Sequence, residues 1–223
     1  MVFFTTITES TDPYTCEGVP VKNNQKYLRE LKIIDMLIDI LIYPFEGDNP
    51  LYRLGDLTQK SPIVKICQLI YRLLKHCAKD NEYNKFYVAQ WISHFFDQSM
   101  ATVEQNNLKA DMTIEELLEN NKQLLDKQIN TATIGKIVQN CSDNPKSERS
   151  INLLAALCQC NGEQIATNQD DVCEYLLGED EFKHLLLKVE AGQGNQHLVI
   201  FDDDAELLAR NKGRPVKLKI EQM

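Results

Sequence analysis

The residues of this chain best placed to do chemistry are three cations, Lys22, Lys26 and Arg29. Their spacing of four and then three positions sets all of them on one face of a helix. Ammonium and guanidinium groups in that arrangement suit several oxygens of a phosphate-bearing ligand, through charge-assisted hydrogen bonds. The same spacing also describes a solvated basic face beside an apolar one, and both readings are open from the residues alone.

No other constellation points to chemistry. The seven cysteines, at positions 16, 67, 77, 141, 158, 160 and 173, are odd in number, and several fall on apolar helix faces. Cys158 and Cys160 form a C-x-C without the second ligand pair that a zinc site needs. They read as reduced thiols packed as small hydrophobes. His76, His94, His184 and His197 show no metal-ligand spacing, and His94, beside Phe95, reads as a core or interface histidine. Ser93, Ser99 and Ser150 lack a G-x-S-x-G elbow. Asp202, Asp203 and Asp204 lack the alternation and the closing glutamate of a calcium loop, and read as a solvated turn. No phosphate-cradling glycine loop is present. Trp91, with Phe86, Phe95 and Phe96, reads as a core cluster before a binding box. The expectation is therefore no catalytic set, no cofactor and no metal: not an enzyme.

The elements that carry these residues are helical. Over 22–43, Leu28, Leu31, Ile34, Leu37, Ile38 and Leu41 recur at helical spacing, and Pro44 ends the run. A second helix is predicted over 61–79, with Ser61 as N-cap and Pro62 at the first position, and with Ile63, Ile66, Ile70, Leu73, Leu74 and Cys77 inward. A third covers about 84–100. Thr113 and Glu116 read as a capping box opening a helix at 114–127. Further helices follow at 131–140, 147–160 and 163–177. The predicted fold is an all-α, armadillo- or HEAT-like stack of about seven helices with a short irregular or β-containing C-terminal extension. In that extension HLVIF and RPVKLKI read as strands, with a helical turn at AELLARN. The expected division is a flexible lead-in over 1–21, the helical domain over 22–178 and the extension over 179–223.

Composition agrees with a soluble globular chain: 43% hydrophobic and 26% charged. A formal net charge of −9 argues against a nucleic-acid or anionic-membrane surface. The first residues carry no signal-peptide pattern. The longest apolar run, interrupted by Asp35 and Asp39, is too short to span a bilayer, so direct membrane insertion is not expected.

A series of phrases in order carries a family resemblance. YLRELKIIDMLIDIL, LYRLGDL, ICQLIYRLLKH and LENNKQLLDKQINTATI resemble successive segments of the helical domain shared by inositol trisphosphate and ryanodine receptors, the RIH domain. LLAALCQCNGEQIATNQDDVCEYLL is closer to the ryanodine-receptor form, and HLVIFDDDAELLARNK is similar to the next segment of the inositol trisphosphate receptors. The resemblance covers about 22–178, with a fainter echo to about 212. It implies a non-catalytic module of a tetrameric calcium-release channel of the endoplasmic or sarcoplasmic reticulum. Its implied partners are other domains and subunits of that channel. It also implies that Lys22, Lys26 and Arg29 match one half of an inositol phosphate site, and with it a weak contact with that ligand. The other half, a Tyr-Arg-Lys triplet, is replaced here by Asn81, Glu82 and Tyr83, and an anion at 82 repels phosphate. Two alternatives stay beside this reading: a free-standing armadillo-like scaffold for protein partners, and a degenerate inositol-phosphate-binding module.

Overall fold

The computed structural model describes residues 2–48, 50–101, 107–144, 148–178, 182, 185–186, 188–191, 196–201 and 216–221. The chain divides into two compact units, Met1–Val172 and Cys173–Met223.

The first unit begins with a short helix α1 (Val2–Thr5) and two antiparallel strands, β1 (Thr6–Ile7) and β2 (Val19–Pro20). Where a flexible lead-in is expected, Thr5, Thr6 and Cys16 are buried. Gly18 lies against β1 so closely that a Cβ there would sit 2.1 Å from the Ile7 carbonyl oxygen, a distance only glycine tolerates.

The helix expected over 22–43 is two helices, α2 (Lys22–Glu30) and α3 (Ile33–Ile42). Lys32, in the left-handed region at φ 60°, breaks the run. Leu28, Ile34, Ile38 and Leu41 are buried on the two sides of the break, and Leu31, expected inward, is 67% exposed at the break itself. A 3-10 turn at Tyr43–Phe45 with Pro44 closes α3, and another spans Leu54–Asp56. The long helix α4 (Pro62–Ala78) forms the centre of the unit and packs against α2 and α3. Its proline stands at the start as expected, but Ser61 makes no side-chain cap; its hydroxyl accepts the Thr58 amide instead. Ile66 lies outside the buried face.

The helix expected at 84–100 is α5 (Glu82–Val88) and α6 (Ile92–Ala101), joined by a 3-10 turn at Ala89–Trp91. That turn rotates the aromatics unequally. Phe95 and Phe96 are buried, Trp91 and Phe86 only half-buried, and the Trp91 ring rests on Tyr87 at 6.0 Å. The aromatic centre of the core is Tyr71 with Phe95, edge to face at 5.4 Å, with the Tyr71 hydroxyl donating to Gln98.

Helix α7 (Ala110–Leu118) starts upstream of the expected capping box. Thr113 is inside the helix, fully buried, and its hydroxyl donates to the Tyr71 carbonyl at 2.8 Å. Packing against α4 therefore claims the side chain that would otherwise cap. Then come α8 (Lys122–Gln128), α9 (Thr131–Asp143) and α10 (Glu148–Cys158). A two-residue hairpin, β3 (Gln159–Cys160) with β4 (Glu163–Gln164), turns through Asn161 and Gly162 and leads to α11 (Ala166–Cys173). The region is mostly helical, consistent with the expected all-α stack, with more and shorter helices than the periodicity suggests and with the β3–β4 hairpin at the adjoining ends of the expected 147–160 and 163–177 helices.

A repeat invisible in the residue identities emerges at two corners. After α4, Asp80 adopts a left-handed conformation (φ 52°) and Asn81 caps α5 by accepting the Asn84 amide. After α7, Asn120 does the same (φ 54°) and Asn121 caps α8 by accepting the Leu124 amide. The separation of about 40 residues is that of armadillo and HEAT repeats. The corners are bonded to each other: Asn121 donates to the Glu82 carboxylate at 2.8 Å, and Lys85 donates to the Glu119 carbonyl at 3.0 Å.

In the second unit a π-helical turn, Glu174–Gly178, precedes an antiparallel sheet of β5 (Lys188–Ala191), β6 (Gln196–Phe201) and β7 (Val216–Glu221), with β6 central. Both expected strands are present; the expected helical turn at 205–211 and the Asp202–Asp204 run lie outside the described residues. Among the described residues no helix is long and apolar enough to cross a membrane.

Candidate functional site

Helix α2 is anchored by its two buried residues, Gln25 and Leu28, which turn Lys22, Lys26 and Arg29 toward the opposite side and the flank. Gln25 has no exposed surface, so its amide must be satisfied internally. Its Nε2 donates to the carbonyls of His76 (2.7 Å) and Lys79 (2.9 Å), and its Oε1 accepts from Asn81 (3.0 Å). Asn84, equally buried, donates to the carbonyls of Gln25 (3.2 Å) and Cys77 (2.8 Å). The end of α4 and the start of α5 are thereby locked to α2.

This lock brings two of the three expected cations, Lys22 and Arg29, beside residues 80–84, where the two sequence clusters meet. Each of the three cations is already engaged within the chain. Lys22 donates to the Asp80 carbonyl. Lys26 faces Glu30 at 3.7 Å, one turn on, with both side chains more than half exposed. Arg29 donates to the Asn84 side-chain oxygen at 2.6 Å and lies over the Tyr83 ring at 5.8 Å. Glu82, read as a repelling substitution, turns toward Asn121 of the next corner, and Asn81 serves as a helix cap.

A second charged cluster lies beyond the sequence expectations. Glu17 accepts from Lys75 at 2.7 Å and lies 3.3 Å from Arg72 and 3.6 Å from Lys79. Burial pushes its carboxyl up, but the Lys75 hydrogen bond and the charges of Lys75, Arg72 and His76 outweigh this and hold it below its ordinary value. His76, 1% exposed, has Nε2 3.1 Å from the Cys16 carbonyl. Burial is the main cause holding it below its ordinary 6.5; Glu17 opposes and Arg72 assists. The sequence signal was present only as three cations at helical spacing on α4.

Between α4, α7 and the β3–β4 hairpin lies a cleft of about 690 Å³. Lys75 and Lys79 face Glu115, Glu116 and Glu119 across it. Burial raises the carboxyls of Glu115 and Glu116 above their ordinary range, although Lys85 stands 3.9 Å from Glu116.

Burial likewise pushes the Cys67 and Cys77 thiols up to about 12, so both stay protonated, and none of the seven cysteines forms a disulfide. His94, expected at a core or interface position, is half-exposed and 3.2 Å from Glu46, an ion pair when the ring is protonated. His184 lies outside the described residues. Among the described residues no group of three His, Cys, Asp or Glu side chains is placed to hold a metal ion.

A family model for the RIH domain matches residues 3–189. The chain is similar to inositol 1,4,5-trisphosphate receptor-like protein A of Dictyostelium discoideum, 28% identical over 194 residues. It is also similar to the inositol 1,4,5-trisphosphate receptor itr-1 of Caenorhabditis elegans, 27% identical over 167 residues. These alignments cover 86% and 71% of this chain but only 5% and 6% of the two relatives.

Proposed function

The chain belongs to the RIH domain family, and from that premise we propose that it is a non-catalytic helical module of an inositol trisphosphate or ryanodine receptor-type calcium-release channel. In this reading the module, residues 22–178 between a lead-in and an extension, transmits conformational change between ligand-binding and pore regions. Its partners are the other domains and subunits of a tetrameric channel, and its place is the cytosolic face of the endoplasmic or sarcoplasmic reticulum. The observation that carries the transmission role is the buried amide lock. Gln25, Asn81 and Asn84 fasten the cation-bearing helix to α4 and α5, and the Asn121–Glu82 bond fastens that corner to the next. A displacement of α2 therefore moves two helical pairs rather than one.

The test is calcium flux in reticulum vesicles carrying the native gene product, with Asn84→Ala beside the parent. Ligand-evoked flux in the parent, weakened in the variant without loss of protein, supports the reading. A native product that carries no flux, or a variant with unchanged flux, sinks it. The first of those results favours the alternative of a free-standing scaffold for protein partners. The third reading, a degenerate inositol-phosphate module, rests on Lys22, Lys26 and Arg29, each of which has a partner within the chain.

A further inference from the structure

Helix α3 leaves one face apolar and uncovered. Met36, Ile40 and Tyr43 are 63%, 42% and 70% exposed. Their spacing of four and three aligns them along one side of α3 and its 3-10 continuation. The opposite side of the same helix holds the buried Ile34, Ile38 and Leu41, so α3 is apolar on both faces while only one of them meets the core. A soluble domain keeps a contiguous exposed stripe of this kind at an interaction site.

The charge around the stripe specifies the occupant. From Ile33 to Tyr52 there is no lysine or arginine, but there are Asp35, Asp39, Glu46 and Asp48. Asp35 is engaged by Tyr87 and by Lys32 at the helix break. Asp39 and Asp48 are exposed, and Glu46, also exposed, faces His94 at 3.2 Å. The C-terminal end of α3 falls on this same acidic side and adds the negative end of its dipole. Apolar anchors at i, i+4 and i+7 within a negative rim complement a helix carrying apolar residues on one face and cations on the other.

We propose that the Met36–Ile40–Tyr43 stripe is a docking surface for a lysine- or arginine-rich amphipathic helix of a partner protein. The proposal stands apart from the channel reading, because it concerns a face of α3 that takes no part in the amide lock. The apolar stripe supplies the contact energy, and the acidic rim supplies orientation and the rate of encounter.

The probe is a fluorescent amphipathic peptide with leucines on one helical face and lysines on the other, titrated into the full chain by anisotropy. Its controls are a scrambled peptide of the same composition and one with glutamate in place of lysine. Saturable micromolar binding of the amphipathic peptide, weakened about tenfold by Ile40→Glu, is expected. An Asp39→Lys, Asp48→Lys variant, with the apolar stripe intact, should weaken binding severalfold and flatten its salt dependence. Circular dichroism of both variants confirms that the fold is retained. Absence of saturable binding overturns the proposal, as does equal binding of the scrambled peptide. It is also overturned if Ile40→Glu abolishes a concentration-dependent dimer of the chain or binding to anionic vesicles while peptide binding persists unchanged.

Discussion

Arg29 and Asn84 are joined by a hydrogen bond of 2.6 Å, from the guanidinium Nη1 to the side-chain oxygen of the amide. The same Asn84 spends its two N–H donors on the carbonyls of Gln25 and Cys77, so every polar atom of its side chain is committed. Asn84→Ala should therefore remove three hydrogen bonds around a fully buried side chain, and destabilise by about 1–3 kcal/mol. Urea unfolding reads this directly. Asn84→Asp should not restore stability, because a carboxylate cannot donate to the two carbonyls; full recovery by Asp would refute the assignment.

The second prediction concerns phosphate. Lys22 and Arg29 are engaged by Asp80 and Asn84, and Lys26 is paired with Glu30 on an exposed face. A charge-assisted contact contributes about 1.5–3 kcal/mol, so a site whose three cations already have partners, and which lacks the second cluster, falls several powers of ten short of a complete one. Titration calorimetry at low salt should find no binding of inositol trisphosphate to this chain at micromolar concentration. A Lys26→Glu, Arg29→Glu variant is the control. Tight binding by the parent, lost in the variant, would establish a working site.

The core is anchored by Phe95 rather than by Trp91. Phe95 is fully buried against Tyr71, so Phe95→Ala should cost about 3–5 kcal/mol. Trp91 keeps part of its surface in solvent and rests on Tyr87, and Trp91→Ala should cost clearly less. Thermal melts of the two variants rank them, and the reverse order would show that the indole is the anchor.

Acid should loosen the N-terminal contact. His76 is held below its ordinary 6.5 in the folded chain, mainly by burial. The stability it contributes as a neutral ring is complete above 6.5 and is lost as pH falls through its folded value. Glu17, also held low, has the same sign below its ordinary 4.5. Glu115 and Glu116 oppose: raised by burial, they favour the fold below 4.5 and lose that contribution as pH rises through their folded values. The His76 share is isolated by comparing the parent with His76→Gln. Just below pH 6.5 the parent should lose stability more steeply; parallel curves would show that the ring does not titrate there.

Much of the helical architecture is legible in the sequence because burial repeats every three to four residues, as at Ile63, Ile70, Leu74 and Cys77. Breaks are harder to read. Lys32 is an ordinary helix former in sequence, and only the packing of α2 and α3 forces it into the left-handed region. Thr113 has the local pattern of a cap, but the Tyr71 carbonyl outcompetes it. At the cation site, spacing alone reveals the shared face of Lys22, Lys26 and Arg29. The partners of Lys22 and Arg29, 58 and 55 positions away, are brought up through Gln25, a polar residue at an inward position whose significance depends on the backbone it meets. Glu17 is hidden for the same reason: nothing local announces that a carboxylate in an aperiodic segment will meet Arg72, Lys75 and Lys79.

The corners at Asp80 and Asn120 turn on residues with side chains, in a conformation that glycine adopts without strain. A glycine joint would release that strain but would leave more freedom to be lost on folding, so the two substitutions are opposed in sign. What Asp and Asn give instead is a joint with few alternative settings. In the proposed channel module, a chain of such joints would hand a push on rather than absorb it, much as a folding ruler with tight rivets moves as one piece. Tolerance to insertion should follow the same logic, with one extra residue in either corner doing more harm than several in the loop between Glu46 and Leu54.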